Sequence, residues 1–154
     1  GARNNDVDMF GELRTAALFA LTRELSAAQG TTQVIQAAAR QIEKAFRCGV
    51  TVFTPAANAT LTRNYASSSI GAPSERDVST SQWVWQNQRE AGLGTSTLPG
   101  GKTLYVPLPA SLGGVGVLGL EPEDPDRLSQ LTQRRQVDAF AAQMGLAMER
   151  ANLS

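Results

Sequence analysis

Apolar residues near the start of the chain recur at helical spacing. Leu18, Leu21, Leu25 and Ala28 fall at steps of three, four and three, and Phe10, Leu13 and Ala17 extend the same side. The pattern predicts a helix over residues 8–28. Gly30 is expected to stop it. Thr31 or Thr32 can cap a second helix over residues 32–46. Its apolar side is Val34, Ile35, Ala38, Ala39, Ile42, Ala45 and Phe46, and Lys44 and Arg47 suit its C-terminal end. The period then changes. Residues 49–54 (GVTVFT) read as a buried strand, 55–59 as a turn, and 60–65 as the returning strand. Residues 66–75 (ASSSIGAPSE) are small and polar and read as a mobile loop. A short helix is expected over 78–88, ending near Gly92. Two apolar strands follow, at 102–109 and 114–121, divided by Gly113-Gly114. The run Glu121-Pro122-Glu123-Asp124-Pro125 breaks the sheet, and a long helix is expected over 126–152. Within it Val137, Phe140, Met144, Ala147 and Ala151 alternate steps of three and four, a seam of period 3.5. The order α-α-β-β-α-β-β-α, with helices flanking an antiparallel sheet, predicts an α+β fold.

Composition narrows the function. The chain has 154 residues, 42% of them hydrophobic, enough for one domain with a real core. The domain is expected over 8–154, with residues 1–7 a disordered tail or a cloning scar. A start at Gly1 rather than Met fits a piece cut from a longer protein. Formal net charge is zero and no Lys/Arg run exceeds Arg134-Arg135, which argues against nucleic acid or an anionic membrane as main partner. No apolar run approaches the ~20 residues of a membrane span, and residues 1–6 carry no secretory signal pattern. Cys48 is the sole cysteine and histidine is absent. Their scarcity excludes an intrachain disulfide, His-based triads, His-ligated haem and most zinc sites. It also leaves no phospho-accepting histidine. No Asp/Glu cluster has EF-hand spacing, so no metal is expected.

Three motif matches fail on context. Residues 114–119 (GVGVLG) match the dinucleotide pattern G-x-G-x-x-G. That pattern needs glycines opening a helix whose amides hold a pyrophosphate. Here they alternate with Val and Leu inside a strand, where small residues are expected to let a helix pack closely. Gly101-Lys102-Thr103 resembles the end of a P-loop, but Ser96 stands where the first glycine belongs. Asn58-Ala59-Thr60 is a sequon within a hairpin turn. Cys48 is expected to be a buried small apolar residue rather than a redox sensor or an attachment point.

A pocket is conceivable around the short helix and the loop after it. Trp83 and Trp85 lie two apart and point to different helix faces; at least one is expected in the core. Trp83 can wall a pocket with Tyr105, drawing on Arg89, Thr95, Ser96 and Thr97, with Arg89 suited to an anionic ligand. The alternative is that the loop only ties helix to sheet, its threonine hydroxyls bonded to backbone. The last helix, about 40 Å long at 1.5 Å per residue, also has two readings. Its seam can dock on this domain's own sheet beside the first helix, or it can pair with a second copy. Leu18, Leu21, Leu25, Val137, Phe140, Met144 and Ala147 are the relay and dimer positions on the two end helices.

Several stretches together resemble the GAF domain of KdpD-type sensor histidine kinases. These are Arg14-Thr15-Ala16-Ala17-Leu18-Phe19-Ala20-Leu21 with Arg23-Glu24-Leu25, then Trp83-Val84 with Gly92, Gly94-Thr95 and Thr97-Leu98-Pro99-Gly100. Leu104-Tyr105-Val106-Pro107-Leu108, Gly114-Val115-Gly116-Val117-Leu118 and Ala147-Met148-Glu149-Arg150-Ala151 complete them. The Gly94-Thr95-Ser96-Thr97-Leu98-Pro99 stretch is the most specific; Ser96 stands where an acidic residue is expected. The resemblance implies a GAF-like fold, a central antiparallel sheet flanked by N-terminal and long C-terminal helices. It implies a cytoplasmic sensor or relay domain of an inner-membrane protein engaged in a potassium and turgor response. From its own residues the domain is expected to hold no cofactor and no catalytic residue, and its long end helices favour a homodimer. ATP binding, autophosphorylation and transfer to a response regulator would belong to the kinase core of the parent protein. The alternative is a small-molecule receptor with a pocket near Trp83 and Tyr105, its ligand unknown. An enzyme on this fold, such as a sulfoxide reductase, needs a nucleophilic and usually a resolving thiol, and Cys48 stands alone.

Overall fold

The structure, a computed structural model, describes the backbone of residues 2–153 and the side chains of residues 15–153. Helices α1 (Ala2–Ala27) and α2 (Gly30–Phe46) lead into strands β1 (Cys48–Pro55) and β2 (Leu61–Ala66). Helix α3 (Glu75–Asn87), the two-residue strand β3 (Ala91–Gly92), and strands β4 (Leu104–Ala110) and β5 (Gly113–Pro122) follow. A 3-10 turn (Pro125–Leu128) precedes α4 (Leu131–Leu153). The strands form one sheet in the order β2-β1-β5-β4-β3, with antiparallel pairing throughout. Helices α2 and α4 cover one face, with α1 packed on both of them, and α3 covers the other. The α+β expectation holds.

Helix α1 is helical from Ala2, earlier than residue 8. Phe10 and Leu13, expected on its apolar side, lie outside the described side chains. Leu21 and Leu25 are buried and Leu18 is half-buried. Gly30 does not follow α1 as a stop; it opens α2, at φ +84°. Neither threonine caps α2. The N-cap is Gln29, whose amide donates to Gln33 Oε1 at 2.8 Å, so a side chain from inside the helix satisfies an orphan donor. Helix α3 begins with the reciprocal bonds of a capping box, Ser74 and Asp77, three residues before the expected start.

Two apolar clusters lie on opposite faces of the sheet. The larger joins α1, α2 and α4 to Val50, Val52, Leu104, Val106, Leu108, Leu118 and Leu120. Phe46 of α2 and Phe140 of α4 meet edge to face at 5.1 Å. The smaller, under α3, contains Phe53, Val84, Ala91, Tyr105 and Val117, with Leu61, Trp83 and Trp85 packed against it. Cores on both faces explain why β1 and β5 read as continuous apolar runs rather than alternating ones.

Three expectations need correction. The β4–β5 hairpin turns on Ser111-Leu112, not on Gly113-Gly114; Ala110 pairs with Gly113 and the register slips between Leu108 and Pro109. That bulge takes up one residue and shifts the glycines into the strand. The last helix does not start at residue 126: Asp124 caps the 3-10 turn and α4 begins only at Leu131. Finally, of the β5 glycines only Gly114 meets a helix end, where a Cβ would sit 2.5 Å from the Gln88 side chain capping α3; Gly116 and Gly119 face the sheet's own groups. A Cβ at Gly119 would sit 2.7 Å from the Tyr105 ring, and one at Gly116 would sit 2.5 Å from the Phe53 carbonyl oxygen. Close helix packing occurs instead through Gly145 of α4, where a Cβ would run into the Pro109 carbonyl oxygen.

Candidate functional site

The residues expected to form a pocket do not enclose one. Tyr105 lies in the smaller cluster, 4% exposed, its ring across Gly119 and 6.4 Å from that of Phe53. Its hydroxyl donates to Asp77 Oδ1 at 2.9 Å. Burial and the Asp77 carboxylate both push the Tyr105 phenol well above its ordinary value, so it stays neutral as a donor. Trp83 and Trp85 are both half-buried and pack against this same cluster, rather than one serving the core and one a pocket.

The loop residues satisfy one another. The Thr95 hydroxyl lies 2.8 Å from Gly92 O and 2.7 Å from Thr97 O, and Thr97 N donates to it at 3.2 Å. Gly92 N donates to Thr97 O at 2.9 Å and Leu93 N to Thr103 O at 3.0 Å. Gly92 and Gly94 take positive φ, +96° and +76°, which only glycine adopts without strain. Thr95 and Thr97 therefore tie a knot; Ser96 and Arg89 are exposed and point no chemistry inward.

Two polar residues missed at the level of sequence organise this region. Asp77 accepts from Ser74 N at 3.0 Å and from the Ser74 hydroxyl at 2.9 Å, besides Tyr105. Burial works to raise its carboxyl, but these bonds and Arg63 outweigh it and hold the group below its ordinary value. The S-x-x-D spacing of residues 74–77 was its sequence signal. Arg134, 9% exposed, lies on the first turns of α4. It ion-pairs with Glu90, and its Nη1 donates to Gly94 O at 3.2 Å. Asp138 lies nearby; burial raises its carboxyl, Glu90 adds to the rise and Arg134 opposes it. A charged residue at a buried helix position has no local signature, and Arg134 stood out in the sequence only as part of the longest Lys/Arg run.

The open space lies elsewhere. A cleft of about 500 Å³ runs between the outer ends of β1 and β5 and the loop after β3, lined by Gly49, Ser69, Leu93, Lys102, Glu121 and Glu123 among others. Cys48 edges it, but the thiol is buried and contacts Ile42 O at 3.8 Å. Burial, with Glu43 and Glu123 adding, pushes it up to about 12, the opposite of an activated nucleophile. Among the described residues no group of three His, Cys, Asp or Glu is placed to hold a metal, and no helix is long and apolar enough to cross a membrane.

The relay and dimer positions also fall inside the molecule. Leu21, Leu25, Val137, Phe140, Met144 and Ala147 belong to the larger cluster, and Leu18 packs against it. The period-3.5 seam of α4 is thus a docking face for this domain's own sheet and helices, and is not available to a second copy.

The fold is that of one known domain. The family model described as GAF domain matches residues 31–150. The chain is a GAF domain. It is 27% identical over 150 residues to the sensor protein KdpD of Clostridium acetobutylicum, covering 93% of this chain and 16% of that protein. The chain therefore spans a small part of the curated relative it matches. Among solved structures it resembles the GAF domain of the potassium sensor histidine kinase KdpD from Escherichia coli, with a TM-score of 0.81 at 22% identity, covering 90% of this chain and 95% of that one. A GAF domain from an Acinetobacter phosphoenolpyruvate-protein phosphotransferase follows at TM-score 0.70 and 13% identity, covering 92% and 96%. A methyl-accepting chemotaxis protein fragment reaches TM-score 0.68 at 13% identity, covering 90% and 99%. The GAF domain and its KdpD-type character, expected from the loop at residues 94–100 and the stretches around it, are supported by these matches.

Proposed function

We propose that this GAF domain is a signal-relay module of a KdpD-like sensor histidine kinase in a potassium or turgor response. On this reading it works on the cytoplasmic side of an inner-membrane protein. The kinase core, ATP and the response regulator belong to other parts of that protein and its pathway. One observation carries the relay reading: the two end helices contact each other and both pack on α2. Thr22, Leu25 and Ser26 of α1 border one groove with Gln143, Leu146 and Glu149 of α4, and α2 bonds α4 through Thr31 and Asn152 at 2.7 Å. Packed elements transmit strain, so a displacement of α1 bears on α4 both directly and through α2. A relay needs two such packings within a few kcal/mol of each other.

The outer side of this layer is where a homodimer would form. Phe19 is 70% exposed, Leu146 45% and Leu153 83%, in contrast to the buried seam behind them. The test uses Phe19→Glu with Leu153→Glu. In the isolated domain the melting temperature should stay near that of the parent and the mass by light scattering should fall to that of one chain. In the full kinase the same pair should change stimulus-dependent autophosphorylation. Unaltered autophosphorylation under every stimulus would remove the relay reading.

A further inference from the structure

The sheet separates the α3 layer from α4, and Arg134 reaches around its β3 edge. Three facts define that contact. The guanidinium is nearly buried, with side-chain exposure of 11% against 45% for its partner Glu90. It binds two points at once, the Glu90 carboxylate just past α3 and the Gly94 carbonyl of the loop. Its Nε is buried with no hydrogen-bond partner, so the side chain is held by those two contacts rather than by a full shell of acceptors. Burying a cation this way is costly unless its partners stay in place.

The loop end is equally constrained. Residues 92–97 are knotted through Thr95, and Leu93 is fixed to Thr103. Leu93 and Lys102, on this same segment, form a wall of the 500 Å³ cleft. A Cβ at Gly94 would lie 3.2 Å from Arg134 Nη1, so the backbone approaches the guanidinium as closely as a side chain permits. A rigid knot joined to a buried cation transmits displacement rather than absorbing it.

The geometry points to Arg134 as the joint by which the cleft-wall loop and the end of α3 set the position of the first turns of α4. The inference rests on the relay reading for its purpose, though not for its physics. Arg134 is a positioning residue: it touches no ligand and acts through Glu90 and Gly94 on its own helix.

Hydrogen exchange tests it in the 154-residue chain. Thr95→Val loosens the knot without touching α4. It should speed exchange in the loop at 92–97 and also at 131–138. In an Arg134→Gln background the loop should still loosen, but 131–138 should show no further increase. Arg134→Lys is the second background, because an ammonium keeps the charge but lacks the fork that spans both acceptors; it should uncouple as well. The joint is overturned if Thr95→Val leaves 131–138 at its original rate, or raises it equally in all backgrounds. Autophosphorylation of the full kinase separates the two ideas. Uncoupling in the chain with undiminished signalling spares the joint and shows that the relay runs through the end-helix contact without it. A silent Thr95→Val in the chain overturns the joint and leaves the relay reading to the end-helix variants.

Discussion

Three buried or partly buried acids fix how this domain answers to base. The Cys48 thiol is raised from 9.0 to about 12 by burial, then by Glu43 and Glu123. Tyr65 and Tyr105 are raised too, chiefly by burial and then by Glu43 and Asp77 respectively. Each group holds its proton more tightly folded than unfolded. The stability they contribute is whole below their ordinary values and drains away as pH climbs toward the folded ones. The melting temperature should therefore fall as pH rises above 9.0, and Cys48→Ala should make the fall shallower. A melting temperature flat from neutral pH to strong alkali would contradict this. The burial of Cys48 was legible from its place between a helix end and an apolar strand. Tyr105 was seen as a wall of open space, because nothing local records that Gly119, fourteen positions on, is small enough to receive its ring.

Among the elements, α4 is the most sharply specified. Its seam was visible as a repeat of Val137, Phe140, Met144 and Ala147, and all four are buried. What the repeat did not reveal was Gly145, on the side toward Pro109. A mid-helix glycine ordinarily weakens a helix relative to alanine. Here its missing side chain is the condition for contact with β4. Gly145→Ala should thus destabilise the domain by about 2 kcal/mol, as overpacking does, against the gain expected from helix propensity alone; urea unfolding decides the sign. Strand β3 escaped notice for a different reason. Two residues carry no period, and Ala91 and Gly92 become a strand only because Tyr105 and Leu104 offer them partners.

At the scale of the whole molecule, the helix layer and the sheet share one core, so the seam residues answer for folding rather than for assembly. Phe140, 1% exposed and edge to face with Phe46, should cost about 3–5 kcal/mol when cut to alanine. Phe140→Glu should abolish the cooperative transition in circular dichroism. A folded chain of altered mass would show instead that this face meets a second copy.

The sequence by itself determined the α+β order, the apolar faces of α1, α2 and α4, the inertness of the glycine motif and the resemblance carried by residues 94–100. All of these depend on spacing along the chain, and spacing survives in a string of letters. Only the tertiary structure decided that Tyr105 is buried across Gly119, that the seam of α4 faces inward, and that Arg134 joins the loop to the last helix. Each of those joins residues far apart in the chain, and whether a side chain finds a cavity, a partner or a ring depends on what the fold brings to the other side.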